Sequence, residues 1–167
     1  VPRQALALAQ RLAAETGGAF VPLDEAAGCG RVVVARDGAR IEVDVADFRA
    51  STLETDLARR DFTVNAIAVD LAAWLRAPER PGPLVDPLGG VQALRQRRLI
   101  PCFPGTFDAD PVRILRAFRF AAQLEFTLDP GASPLMRAAA PGLARVSGER
   151  IRDELLAIFD TDRAAPA

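Results

Sequence analysis

The sequence contains no histidine and no tyrosine, and all 21 of its basic residues are arginine. Without histidine, imidazole acid–base catalysis and His-ligated metal are excluded. Without lysine, Schiff-base chemistry and the phosphate-binding lysine of a P-loop are excluded. Two cysteines, Cys29 and Cys102, make neither a disulfide framework nor a zinc site. They are read as free thiols in a reducing compartment. No apolar run approaches the ~20 residues of a membrane span, and no signal-peptide pattern is visible. A cytoplasmic location without a membrane partner is expected. The net charge of −1 gives no global basic field, so any anion site has to be a local cluster. The chain opens on Val1 rather than methionine, and a preceding segment is expected.

What remains is ordinary for a globular chain of one core. It has 167 residues, 50% of them hydrophobic and 26% charged. Residues 2–16 read as a helix, with Ala5, Leu6, Leu8, Ala9 and Leu12 on one stripe and Gly17-Gly18 as its stop. Strand signals follow at Ala19 to Leu23, Arg31 to Ala35 and Arg40 to Val45. Asp37-Gly38 between the last two is a hairpin turn signal. Ile41, Val43 and Val45 alternate with Glu42 and Asp44, which puts carboxylates on one face of the strand. A helical stretch at 53–60, a Pro/Gly/Arg loop at 77–83 and a short helix after Gly89-Gly90 come next. Helices are expected at about 109–124, 131–139 and 147–160. The first part is mixed and the last third helical, with a boundary near Pro104-Gly105 that defines domains 1–104 and 105–167.

Three segments could carry chemistry. On a helix beginning at Asp110, Ile114, Leu115, Phe118, Ala121 and Ala122 form an apolar arc. Arg113, Arg116 and Arg119, three apart, form another. Asp110 is a local partner for Arg113, but Arg116 and Arg119 have no carboxylate at helical spacing. Their missing anion is either carboxylates of another segment or phosphate, which arginine matches bidentately. Arg59-Arg60-Asp61, with Asn65 four residues on, is either a solvated helix end or a site for phosphate, sugar hydroxyl or base edge. Asp44 and Asp47, beside a strand, are either an exposed face or part of a Mg²⁺ site. Ser147-Gly148-Glu149-Arg150 reads as a helix start, with Ser147 as cap and Arg150 paired to Glu154 at i+4.

Taken in order, RRDFTVNAIA (59–68), VDP-LGG (85–90), DPVRILRAFRFA (110–121) and SGERIRDEL (147–155) resemble the class II tRNA nucleotidyltransferase and poly(A) polymerase family. The resemblance runs along nearly the whole chain. It implies an α/β (α+β) fold, a partial DNA polymerase β-like head followed by an all-helical neck. It implies template-independent addition of CMP or AMP to RNA 3′ ends from CTP and ATP, with Mg²⁺. The RNA, expected to be a tRNA 3′ end, would be gripped by domains outside these residues. Asp44 matches the family's third catalytic, metal-binding carboxylate. Arg59, Arg60, Asp61 and Asn65 match the motif that holds ribose and triphosphate. Asp110 and Arg113 match the pair that reads the base, and Arg116 and Arg119 match positions near the phosphates.

Two departures accompany the resemblance. Ala109 stands where the family has a glutamate before its base-reading aspartate. The family's first motif, a Gly-Gly turn with two metal-binding aspartates spaced D-x-D, is not in the sequence. These 167 residues are therefore expected not to catalyse alone. A poly(A) polymerase using ATP only is the alternative within the family. Outside it, the alternative is a non-catalytic binding or assembly module whose arginines pair with carboxylates. An exposed sheet edge would invite self-association in either case.

Overall fold

A computed structural model describes residues 1–80 and 82–161. By its internal contacts the chain separates into two compact units, Val1–Asp56 and the part from Leu57 onward. The boundary expected at 104/105 lies inside the second unit. There Phe62 and Leu99, from before that boundary, share one core with Phe107 and Ile114, from after it. Among the described residues no helix is long and apolar enough to cross a membrane.

The first unit is a helix on a three-stranded antiparallel sheet. Helix α1 (Ala5–Thr16) precedes β1 (Ala19–Asp24), β2 (Cys29–Arg36) and β3 (Ala39–Ala46), and β2 is central. Small residues on one stripe of α1 let it sit close. Ala9 and Ala13 are buried with Val32 of β2, and Leu12, Phe20, Val34 and Val45 complete the cluster. The hairpin between β2 and β3 has Asp37 at φ 53° and Gly38 at φ 77°. Two consecutive left-handed residues match the right-handed strand twist, which is why Asp-Gly serves there. Helix α1 starts at Ala5, later than the sequence suggests. Asp47 accepts the Ala5 N–H at 2.9 Å, so this carboxylate closes a helix start.

Helix α2 (Leu53–Leu57) ends the first unit and reaches the second at Leu57, and a single turn follows at Thr63–Asn65. Then come α3 (Leu71–Arg76), α4 (Gly90–Arg95), β4 (Arg98–Leu99), α5 (Thr106–Ala109) and α6 (Arg113–Leu124). The unit continues with β5 (Thr127–Leu128), α7 (Ala132–Ala139), a 3-10 segment at Ala140–Arg145 and α8 (Gly148–Phe159). β4 and β5 pair in parallel. Phe62, Leu99, Phe107, Ile114, Ala117, Ala132, Met136 and Ala139 make the core. Phe62 meets Phe120 edge-on at 6.0 Å between centroids and Phe107 at 6.3 Å. Asp86 accepts the N–H groups of Gly90 and Val91 and so anchors the start of α4. Gly90 is required: a Cβ there would lie 2.1 Å from the Thr63 carbonyl oxygen.

The long helix differs from its sequence pattern in two ways. It begins at Arg113 rather than at 109 or 110, and Asp110 is extended at φ −153°. Pro111 disfavours the helical region for the residue before it. Asp110 and Arg113 therefore do not share a helix face. The buried stripe is also turned towards the arginines: Arg113, Ile114 and Ala117 are buried, whereas Phe118 is 49% exposed.

Candidate functional site

Asp61 is the centre of a polar cluster in the second unit. Its side chain is 8% exposed. Oδ2 accepts from Arg116 Nε at 2.9 Å and Nη2 at 2.8 Å. Oδ1 accepts from the Phe62 N–H at 2.8 Å and from Asn65 Nδ2 at 3.1 Å. Burial alone would raise the Asp61 carboxyl. The Arg116 charge and these hydrogen bonds outweigh it and hold the group below its ordinary value. The carboxylate is thus ionised and acceptor-only, and it sets the Asn65 amide in place.

Arg116 and Arg119 obtain their anions from within the protein. Glu154 of α8 accepts from Arg119 Nε at 2.6 Å and from Arg116 Nη1 at 3.5 Å. Arg119 also donates to Gln123 Oε1 at 2.9 Å. Both guanidiniums lie over Phe120, at 5.2 Å for Arg116 and 4.2 Å for Arg119 from ring centroid to Cζ. Arg113, for which the i, i+3 spacing suggests Asp110, reaches the main chain instead. Its guanidinium donates to the carbonyl oxygens of Arg59 at 3.1 Å, Arg60 at 3.4 Å and Thr106 at 3.4 Å. Arg113 thereby ties the main chain of residues 59–60 to the base of α6. Arg59 and Arg60 themselves are exposed, and Arg60 also reaches the Asn65 carbonyl oxygen at 3.4 Å.

Asp110 is instead met by Arg150, whose Nη2 donates to Oδ2 at 2.7 Å. Ser147 makes no side-chain cap, and Arg150 and Glu154 do not pair with each other as their i, i+4 spacing predicts. Sequence reasoning missed Arg150 and Glu154 as members of the cluster. The signal that would find them is the unmatched charge of Arg116 and Arg119. It demanded a carboxylate from elsewhere, and Glu154 stands on an amphipathic helix 35 positions beyond Arg119.

Asp44 belongs to the first unit. It lies on the sheet face away from α1, opposite Arg31 in the register. Arg31 grips it bidentately, Nε to Oδ1 at 2.6 Å and Nη2 to Oδ2 at 2.9 Å, and also pairs with Glu42 at 2.6 Å. The hydrogen bond from Arg31, helped by its charge, holds the Asp44 carboxyl below its ordinary value against the opposing effect of burial. Among the described residues no three acidic or cysteine side chains converge as a metal site. The cysteines are free thiols. Burial, and then the Asp61 charge, push the Cys102 thiol up to about 12, so it is unreactive.

Comparison with known proteins gives the class. A family described as "Poly A polymerase head domain" matches residues 30–100, and one described as "Probable RNA and SrmB- binding site of polymerase A" matches residues 125–167. The chain is 45% identical over 159 residues to the CC-adding tRNA nucleotidyltransferase of Geobacter sulfurreducens, covering 95% of this chain and 35% of that protein. It is 42% identical over 162 residues to the A-adding tRNA nucleotidyltransferase of Deinococcus radiodurans, covering 94% and 34%. A solved tRNA-processing enzyme with CTP superposes with a TM-score of 0.74 at 32% identity, covering 96% of this chain and 42% of that one. The chain belongs to the tRNA nucleotidyltransferase and poly(A) polymerase family, a family of nucleotidyltransferases. It spans about a third of the length of the curated relatives it matches.

Proposed function

We propose that these residues carry the nucleotide-binding part of a template-independent RNA nucleotidyltransferase that adds CMP or AMP to tRNA 3′ ends. In that reaction the RNA 3′-hydroxyl attacks the α-phosphate of CTP or ATP in line and pyrophosphate leaves. The observation that carries the reading is the Arg113 clamp. It brings the segment from Arg59 to Asn65 beside the segment from Asp110 to Arg119, and these are the two motifs the resemblance assigns to one nucleotide. Arg59 and Arg60 would meet the triphosphate, and Asn65, ordered by Asp61, the ribose. Asp110 and Arg113 would read the base. Arg116 and Arg119 would add positive potential towards the phosphates while held by Asp61 and Glu154. Residues 1–104 would be the head and 105–167 the neck.

Mg²⁺ is the cofactor the family implies, and Asp44 is the residue assigned to it. Asp44 is one carboxylate already paired to Arg31, and the described residues do not by themselves fit a Mg²⁺ site. Two-metal phosphoryl transfer needs carboxylates that clamp both ions. The 167-residue chain alone is therefore expected to bind nucleotide and not to transfer it. Mg²⁺-dependent incorporation of labelled CMP or AMP into tRNA by the pure chain would overturn that expectation.

The test of the binding reading is equilibrium titration with ATP, CTP, GTP and UTP at low salt, alongside Asp110→Ala. Preference for CTP, ATP or both, lost in the variant, supports it. Binding of CTP would set CC-adding and CCA-adding enzymes apart from A-adding and ATP-only ones. One observation favours a second reading, a non-catalytic module: Arg116 and Arg119 both already have protein carboxylates. A folded chain that binds none of the four nucleotides at low salt would establish that reading instead.

A further inference from the structure

Helix α8 sends two oppositely charged residues, one turn apart, to two different places. Glu154 meets the arginines of α6, and Arg150 meets Asp110. We propose that Arg150 is a positioning residue for nucleotide choice, holding Asp110 so that one carboxylate oxygen is presented to the base as an obligatory acceptor. The proposal rests on the nucleotide-binding reading above and adds a residue to it.

Three observations support the assignment. Asp110 lies outside any helix, on extended backbone before Pro111, so no helical turn fixes its side chain. Arg150 Nη2 takes Oδ2 at 2.7 Å, whereas Oδ1 accepts nothing from the described residues. Arg113, the neighbouring cation, is turned to the carbonyls of residues 59, 60 and 106 instead. Arg150 is thus the cation that orients Asp110. The pair is too exposed, at 54% and 28%, to contribute much to folding stability. Chemistry makes the consequence specific. An ionised carboxylate only accepts hydrogen bonds. Cytosine N4 and adenine N6 are donors at the corresponding edge, while the oxygens of uracil O4 and guanine O6 are acceptors. A fixed, charged Oδ1 favours the amine-bearing bases and repels the carbonyl-bearing ones. A carboxylate free to rotate would discriminate less.

The experiment is equilibrium binding of CTP, UTP, ATP, GTP and inorganic triphosphate to the unsubstituted chain, Arg150→Gln and Arg150→Lys. In Arg150→Gln the CTP-over-UTP or ATP-over-GTP preference is expected to fall by about tenfold. Binding of inorganic triphosphate and the melting temperature should stay as they are. Arg150→Lys, which restores a charged donor, should recover part of the preference. An unchanged preference in Arg150→Gln, or no recovery in Arg150→Lys, overturns the proposal while leaving the nucleotide-binding reading intact. Equal loss of all five ligands together with early melting marks a purely structural brace and also overturns it. An unsubstituted chain that shows no preference among the bases overturns the reading of the site and the role of Arg150 together.

Discussion

Asp61 shows how one side chain serves both fold and site. Its carboxylate is buried, doubly bonded by Arg116 and tied to Asn65. Removing it leaves Arg116 short of its main partner and Asn65 without direction. Asp61→Ala is expected to destabilise the second unit by about 2–3 kcal/mol, below the range for a fully buried pair because Arg116 is partly solvated. Urea melts would check it. The pH dependence follows from the direction of its shift. The folded carboxyl titrates lower than the unfolded one, so its stabilisation is complete above the unfolded value of about 4 and is lost as pH falls through the lower folded value. Asp61→Asn should flatten the loss of stability between about pH 4 and the onset of acid unfolding. A variant whose melts keep the full acid slope would show that other carboxylates carry it.

At the scale of elements, α4 and α8 are held at specific close contacts. Gly90 lies against the Thr63 carbonyl with no room for a Cβ. Gly90→Ala should therefore cost about 1–3 kcal/mol through displacement of the turn that carries Asp61 to Asn65. If melting is unaffected, α4 can shift freely. For α8, a double-mutant cycle on Arg119 and Glu154 should return a coupling of about 1 kcal/mol, and a value near zero would make the pair ornamental to stability. Much of the local order was legible beforehand. Alternating Ile41, Val43 and Val45, the Asp37-Gly38 turn and the small-residue stripe of α1 gave the helix and three strands of the first unit, because short-range pattern fixes them. The start of α6 was misplaced because Pro111 overrides the periodicity of the residues after it. The partners of Arg116, Arg119 and Asp110 were not legible. They come from residues 35 to 55 positions away, and helical spacing offered Arg150 and Glu154 to each other instead. The motifs assigned the site's residues, but not that Arg113 would bond to main-chain carbonyls.

At the scale of the molecule, the two units differ in what they bury. The fully buried side chains of the first are alanines and Val32, while the second encloses Phe62, Phe107, Leu57 and Leu99. Val21, Leu23, Ile41 and Val43 remain exposed on the edge strands of the first unit. Hydrogen exchange is expected to report opening of residues 5–46 at a lower free energy than the core around Phe62 and Phe107. Uniform protection across both units would contradict this. The same exposed strands make self-association at high concentration a reasonable expectation, readable by sedimentation. The family relationship covers both units, since the matched segments fall at 30–100 and 125–167.

The contacts of Arg113 with the 59–60 loop go to carbonyl oxygens, a feature every amino acid possesses. The hold of Arg113 on the loop is thus indifferent to which side chains residues 59 and 60 bear. A substitution at position 59 or 60 would therefore leave these main-chain bonds in place, while one at 60 would give up the reach of Arg60 to the Asn65 carbonyl oxygen. Over evolutionary time the same arrangement would let substrate affinity drift while the architecture beneath it stays put.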